Sequence, residues 1–298
     1  MRRSVVLATL LISLFSTSAY AQVVEISPRK ISAIELKQTS SKARIVALAN
    51  GSAEIIAALG LKSSLVGRDI ASSTSELNKV AIVTSGHQVI AEKVIALKPT
   101  LVIVDENTGP KTALESIRAA RIQVRTISSA WNIDDMYRKI LEIGSAVGQS
   151  QSALQLISLM KTKVAKAQIS IGWKPRVVFL YLRGPSSIYL IGGKGSGADS
   201  LLNAIGAIDS GARQFSQPFN TLTSEALVTT NPDLILVMTK GLESVGGIKG
   251  LLALPGISQT AAGKNKRVIS VDDSLLLSFG PRTPALLSSL AEAMRSLR

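Results

Sequence analysis

The sequence predicts an α/β protein of two Rossmann-like lobes with parallel-rich sheets, joined by a long rigid helix, with a ligand cleft between the lobes. Three observations lead there. Short apolar runs alternate with helical patterns along almost the whole chain. One helix-and-strand wording occurs twice, 133 residues apart. Between the two copies, apolar residues keep helical spacing over a stretch long enough to bridge two domains.

Met1 to Ala21 carries Arg2 and Arg3, an apolar run from Val5 to Phe15, and the small-residue pattern Ala19-Tyr20-Ala21. This is the pattern of a cleavable signal peptide, residues 1–21, which places the mature protein in the periplasm. The apolar run is too short to span a bilayer with margin, and no later run approaches ~18 to 20 residues. The chain contains no cysteine, so neither a disulfide nor a lipid-modified cysteine is available and a freely diffusing form is expected.

An N-terminal extension, residues 22–43, leads into a first lobe at residues 44–133. Its strands are read at Arg44 to Leu48, Val80 to Val83, Leu101 to Val104 and Gln123 to Ile127. A helical run from Ala91 to Leu97 ends before Pro99, because proline breaks the hydrogen-bond pattern. The connector, residues 134–174, holds Met136, Ile140, Ile143 and Val147 at helical spacing. Gly144 and Gly148 weaken the end of that helix, and a second amphipathic run begins at Ser150. A helix of ~20 residues extends ~30 Å, about one domain diameter. Such a strut resists hinge closure, so small movements on ligand binding are expected. The second lobe, residues 175–298, has strands at Arg176 to Tyr181, Leu234 to Met238 and Arg267 to Val271.

The repeat sets Glu92, Pro99 and Leu101 to Val104 against Glu225, Pro232 and Leu234 to Val237. At nearly the same offset Arg44-Ile45-Val46 answers Arg176-Val177-Val178, and the helix ending Leu59-Gly60 answers the one ending Ile205-Gly206. A chance match would not recur in order, so the lobes are read as copies of one unit.

The formal net charge is +14, two units of which, Arg2 and Arg3, lie in the signal peptide. Nucleic acid is disfavoured: the basic residues are scattered, and aromatics make up 4% of the chain, too few for stacking platforms. A small anionic ligand fits better, with plain solubility as the alternative.

His87 is the only histidine in 298 residues, on a loop between Gly86 and the helix at Ala91. Imidazole is the commonest metal ligand among side chains, though a lone histidine is often a surface or capping residue. In the second lobe, strand alternation puts Tyr181 and Arg183 on one face. A guanidinium beside a phenol favours the phenolate, the form that ligates ferric iron; a half-buried strand tyrosine with an exposed arginine is the ordinary alternative.

Several stretches carry a resemblance to a known family: Gly86-His87-Gln88, Phe179-Leu180-Tyr181-Leu182-Arg183-Gly184, Gly195-Ser196-Gly197-Ala198-Asp199-Ser200-Leu201 and Gly280-Pro281-Arg282-Thr283-Pro284. With them the chain resembles the cluster III periplasmic substrate-binding proteins of ABC importers, and within these the haem-binding components of haemin uptake systems. The resemblance implies binding of ferric haem b as transported ligand, with delivery to an inner-membrane permease and its ATPase by a monomer. It implies His87 and Tyr181 as iron ligands, Arg183 as support for Tyr181, and Met238 as a pocket residue or, equally, core packing. Glu54 matches the family's acidic residue for docking on the permease, and Asp199 is its counterpart in the second lobe. Many members have a tyrosine around Ser85 to His87 where this chain has none, so Tyr181 alone or both residues together hold the iron. A siderophore or cobalamin carrier of the same fold is the rival reading. A secreted hydrolase with His87 as general base is more distant, since no G-x-S-x-G elbow surrounds any serine. Gly193 to Ala198 mimics a dinucleotide loop but lacks the acidic residue about 20 positions on. No enzymatic activity and no protein zinc site are expected.

Overall fold

The computed structural model describes residues 23–86, 88–167, 172–276 and 278–298, so the expected signal peptide lies outside the described residues. The chain enters as β1 (Val23–Ile26) and crosses to the first lobe. That lobe runs β2 (Ile45–Ala47), α1 (Ser52–Ile56), β3 (Leu65–Arg68), β4 (Ala81–Ile82), β5 (Thr84–Ser85) and β6 (Gln88–Val89), then α2 (Ala91–Ala96), β7 (Leu101–Val104), α3 (Lys111–Ala119) and β8 (Gln123–Thr126). The connector is α4 (Ile133–Ala146) and α5 (Ser150–Ala167). The second lobe begins β9 (Arg176–Arg183), β10 (Ile188–Gly192), α6 (Ala198–Ala204), β11 (Ile208–Asp209), α7 (Ser210–Gln214), β12 (Phe219–Thr221) and α8 (Ser224–Thr230). It continues β13 (Leu234–Met238), α9 (Thr239–Ser244), α10 (Gly247–Ala253), α11 (Ala261–Lys264), β14 (Val268–Val271), α12 (Asp273–Leu276) and α13 (Thr283–Ser296).

The first sheet is parallel throughout, in the order β4-β3-β2-β7-β8. The second has the order β1-β14-β13-β9-β10-β12, with β11 also paired to β9. There β10 is antiparallel to both neighbours and the remaining pairs are parallel. Every strand expected from the sequence is present. Those not foreseen include β3 and β11, which are short and carry Gly67 and Asp209; pairing with β2 and β9, rather than local pattern, makes them strands. The N-terminal extension begins with a strand that closes the far edge of the second lobe's sheet, Val23 pairing with Val268.

The repeat is visible as topology. The order β3-β2-β7-β8 in the first lobe recurs as β11-β9-β13-β14 in the second. In both lobes the first α-helix starts behind a glycine of positive φ, Gly51 at 71° and Gly197 at 89°.

Both sheets are covered on both faces, as strands without polar alternation require. Val46, Val102 and Val104 pack under Val94 and Ile117 on the outer face of the first lobe, while Val178, Leu180 and Val237 pack against Leu227 and Leu251 in the second. The inner faces do not form separate cores. Ile45 and Ile103 of the first lobe, Met136, Ile140 and Leu156 of the connector, and Phe179, Leu236 and Leu286 of the second belong to one continuous cluster.

Helix α4 starts where Asn132 accepts a hydrogen bond from the Asp135 amide at 2.8 Å, with Asp134 and Asp135 in the first turn facing the positive end of the dipole. Met136, Ile140 and Ile143 are buried at the expected spacing. The 18 residues of α5 extend about 27 Å. Gly144 is there for contact: a Cβ on it would lie 2.5 Å from the Ala153 Cβ, so the glycine lets α4 and α5 touch.

Candidate functional site

In the second lobe β14, β13 and β9 lie side by side and parallel, and their C-terminal ends form one edge. Ligands of open α/β sheets bind at such edges, where the strands deliver loop residues without a covering helix. The edge carries Tyr181 and Arg183 from β9, Met238 and Thr239 from β13 and its junction with α9, and Asp272 and Asp273 following β14.

Tyr181 is half-buried and packs on the inner core. Its ring meets Phe219 of β12 edge-on, at 5.7 Å between centroids and 65° between planes. The Arg183 guanidinium carbon stands 4.6 Å from the centroid of the Tyr181 ring, so the sequence-predicted pair is brought together as a cation over an aromatic face. Arg183 donates to the Leu182 carbonyl at 2.9 Å and to Asp273 Oδ2 at 3.3 Å. Asp273 Oδ1 accepts from the Lys240 amide at 3.1 Å. Met238 is on the inner face one strand away, 1% exposed and within the core cluster that Tyr181 borders. Beside it Thr239 Oγ1 is buried without a hydrogen-bond partner among the described residues.

His87 lies outside the described residues. Its neighbours are not the simple loop that the sequence suggested: β5 and β6 pair antiparallel on either side, Thr84 with Val89 and Ser85 with Gln88. The Val89 amide donates to the Gly109 carbonyl at 2.8 Å, fastening this hairpin to the loop that follows β7.

Glu54 departs from the expectation of an exposed docking carboxylate. It is 6% exposed and forms a two-pronged pair with Arg282, Nε to Oε2 at 2.8 Å and Nη2 to Oε1 at 2.6 Å. One partner is on α1 of the first lobe, the other just before α13 of the second. Burial pushes the Glu54 carboxyl above its ordinary range even though Arg282 favours the anion. A cavity of about 260 Å³ opens over this pair, lined also by Arg29, Glu35 and Glu76. Its volume is below the roughly 300 to 1,000 Å³ of a drug-sized site, and Tyr181 is not in its wall. Asp199, by contrast, is half-buried at the start of α6 and accepts from the Gly195 and Gly197 amides at 2.8 and 3.1 Å.

Sequence reasoning passed over Phe219, Asp273 and Lys139. Asp273 had a signal, two acidic residues directly after a buried strand; the other two had none. Lys139 is 2% exposed on α4, and its ammonium donates to the Asn50 carbonyl at 2.9 Å and the Ser278 carbonyl at 3.0 Å. It thereby ties the connector to both lobes. Burial lowers its pKa to about 8, while Asp105 and Glu54 act in the opposite sense.

Residues 45–275 match the model of the family described as periplasmic binding protein. A Bacillus subtilis (strain 168) protein described as the uncharacterized ABC transporter substrate-binding lipoprotein YvrC is 33% identical over 84% of this chain and 79% of its own length. Among solved structures, the periplasmic heme-binding protein RhuT from Roseiflexus sp. RS-1 in apo form superposes with a TM-score of 0.80 at 34% identity, over 86% of this chain and 99% of that one. The heme-binding protein HmuT gives 0.80 at 29% identity over 93% of this chain and 98% of its own. Solved variants of HmuT replace by alanine a histidine, a tyrosine, or an arginine two positions beyond that tyrosine.

Proposed function

Because this chain belongs to the periplasmic binding protein family, the substrate-binding proteins of ABC transporters, we propose that its substrate is ferric haem b, passed to an inner-membrane permease and its ATPase. The observation that carries the reading is Tyr181 at the C-terminal edge of β9, with the Arg183 cation over its ring. A tyrosine and an arginine two residues apart recur in HmuT, and the heme-binding proteins RhuT and HmuT share this fold. Tyr181 supplies the phenolate to the iron. His87 supplies a second ligand from the first lobe. Phe219 offers aromatic surface to the macrocycle, whose burial contributes most of the affinity, while Met238, 1% exposed, packs in the core behind it. Asp199 remains the carboxylate offered to the permease, since Glu54 is committed to Arg282.

Haemin titrated into the purified protein should give a sharpened Soret band with a charge-transfer feature of phenolate ligation. Tyr181→Ala should weaken binding at least tenfold, about 1.4 kcal/mol, and abolish that feature. His87→Ala should retain partial binding, because an anionic phenolate neutralises ferric iron better than imidazole does. Unchanged spectra and affinity in Tyr181→Ala would remove the ligand assignment. No Soret change in the wild type would favour a siderophore or cobalamin carrier instead.

A further inference from the structure

We infer that Asp273 is a positioning residue for the proposed haem site, acting through Arg183. The inference rests on Tyr181 being the iron ligand. Tyr181 and Arg183 lie two residues apart on one face of β9, where side chains stand roughly parallel and perpendicular to the sheet. For its guanidinium to cover the Tyr181 ring, Arg183 must fold back along the strand. A half-exposed cation over a ring is a weak contact, and a long side chain loses much rotamer freedom when fixed. The Leu182 carbonyl restrains one nitrogen of the fork. Asp273 restrains the other with an opposite charge.

Asp273 suits this task because it is itself immobilised. Its Oδ1 is held by the Lys240 amide, and its backbone opens α12 directly after β14. The carboxylate joins the ends of three neighbouring strands: β14 through its own chain, β13 through Lys240 and β9 through Arg183. Nothing in this arrangement requires Asp273 to touch haem. It sets where the positive charge stands relative to the phenol ring.

Two measurements test this separately from haem binding as such. In haem-free protein with ring-labelled tyrosine, the Tyr181 resonances are assigned by their loss in Tyr181→Phe. Asp273→Asn, which keeps shape and removes charge, should move them in the same direction as Arg183→Ala, and Asp273→Glu should largely restore them. Resonances unmoved by Asp273→Asn would overturn the inference whether or not the protein binds haem. With haemin, Asp273→Asn should weaken binding three- to tenfold and alter the phenolate charge-transfer band. In an Arg183→Ala background the same change should cost less than twofold, since a residue acting through Arg183 has nothing left to position. Full additivity would overturn the inference. Absence of haem binding by the wild type would sink the proposed function, leaving the resonances to decide the role of Asp273.

Discussion

Asp209 is 3% exposed and caps α7 by accepting from the Ala212 amide at 2.8 Å, while its Oδ2 has no hydrogen-bond partner among the described residues. Burial, reinforced by the nearby Asp199 charge, raises its pKa from 3.8 to about 7 against the opposing amides of Ala212 and Gly211. The folded state therefore holds a proton that the unfolded state has released. Stability from this group is complete below pH 3.8 and is lost as pH rises to about 7. Asp209→Asn keeps the capping oxygen and cannot ionise. It should melt higher than the wild type at pH 8, with the difference shrinking toward pH 4 in paired thermal scans. A constant difference across that range would mean that Asp209 does not titrate in the folded protein. Single-residue chemistry of this kind was illegible in the sequence, because Asp209 looks like any other acid before a helix. Tyr181 and Arg183 were legible, because alternation along a strand places side chains without further information.

At the scale of elements, the junction of α1 with the following turn shows why the repeated glycines matter. Gly60 has φ 86°, a left-handed conformation that Gly206 shares at 78° in the other lobe. A Cβ on Gly60 would also lie 2.4 Å from the Lys37 carbonyl oxygen of the N-terminal extension. Gly60→Ala should then cost about 1 to 3 kcal/mol from backbone strain alone, and more from the clash, read as a lower urea midpoint. Gly206→Ala meets nothing within 4 Å among the described residues and should show the strain component only. Equal midpoint shifts in the two variants would show that the extension does not pack on Gly60 in solution. The helix-to-strand units of the repeat were legible because proline and glycine punctuate them. β10 and β12 were not, since a strand antiparallel within a parallel sheet needs a partner that only the folded chain presents.

For the whole molecule, the lobes are joined by more than a connector. The shared core, the Lys139 ammonium between Asn50 and Ser278, and the Glu54 to Arg282 pair all cross between them. This supports the expectation of small movements on ligand binding, since opening would break buried polar contacts that water must then replace. Glu54→Ala leaves Arg282 buried without its partner and should destabilise the protein by roughly 3 to 5 kcal/mol. Replacing both residues by methionine should cost markedly less, because no charge is left unpaired. Denaturant titration of the two variants checks this. A Glu54→Ala protein as stable as the wild type would return Glu54 to the surface role that the sequence suggested. Any transport defect of Glu54→Ala is to be read beside its stability, whereas Asp199→Ala is the cleaner probe of permease docking.

Periodicity, punctuation and recurrence are local or serial properties, and they sufficed for two α/β lobes, a helical connector and the shared face of Tyr181 and Arg183 on β9. Burial and charge pairing depend on residues far apart in the chain. Glu54 meets Arg282 across 228 positions and Arg183 meets Asp273 across 90. The tertiary structure alone decided that the first carboxylate is interior and that the second meets the Arg183 cation beside Tyr181, because only folding brings those charges within reach of one another.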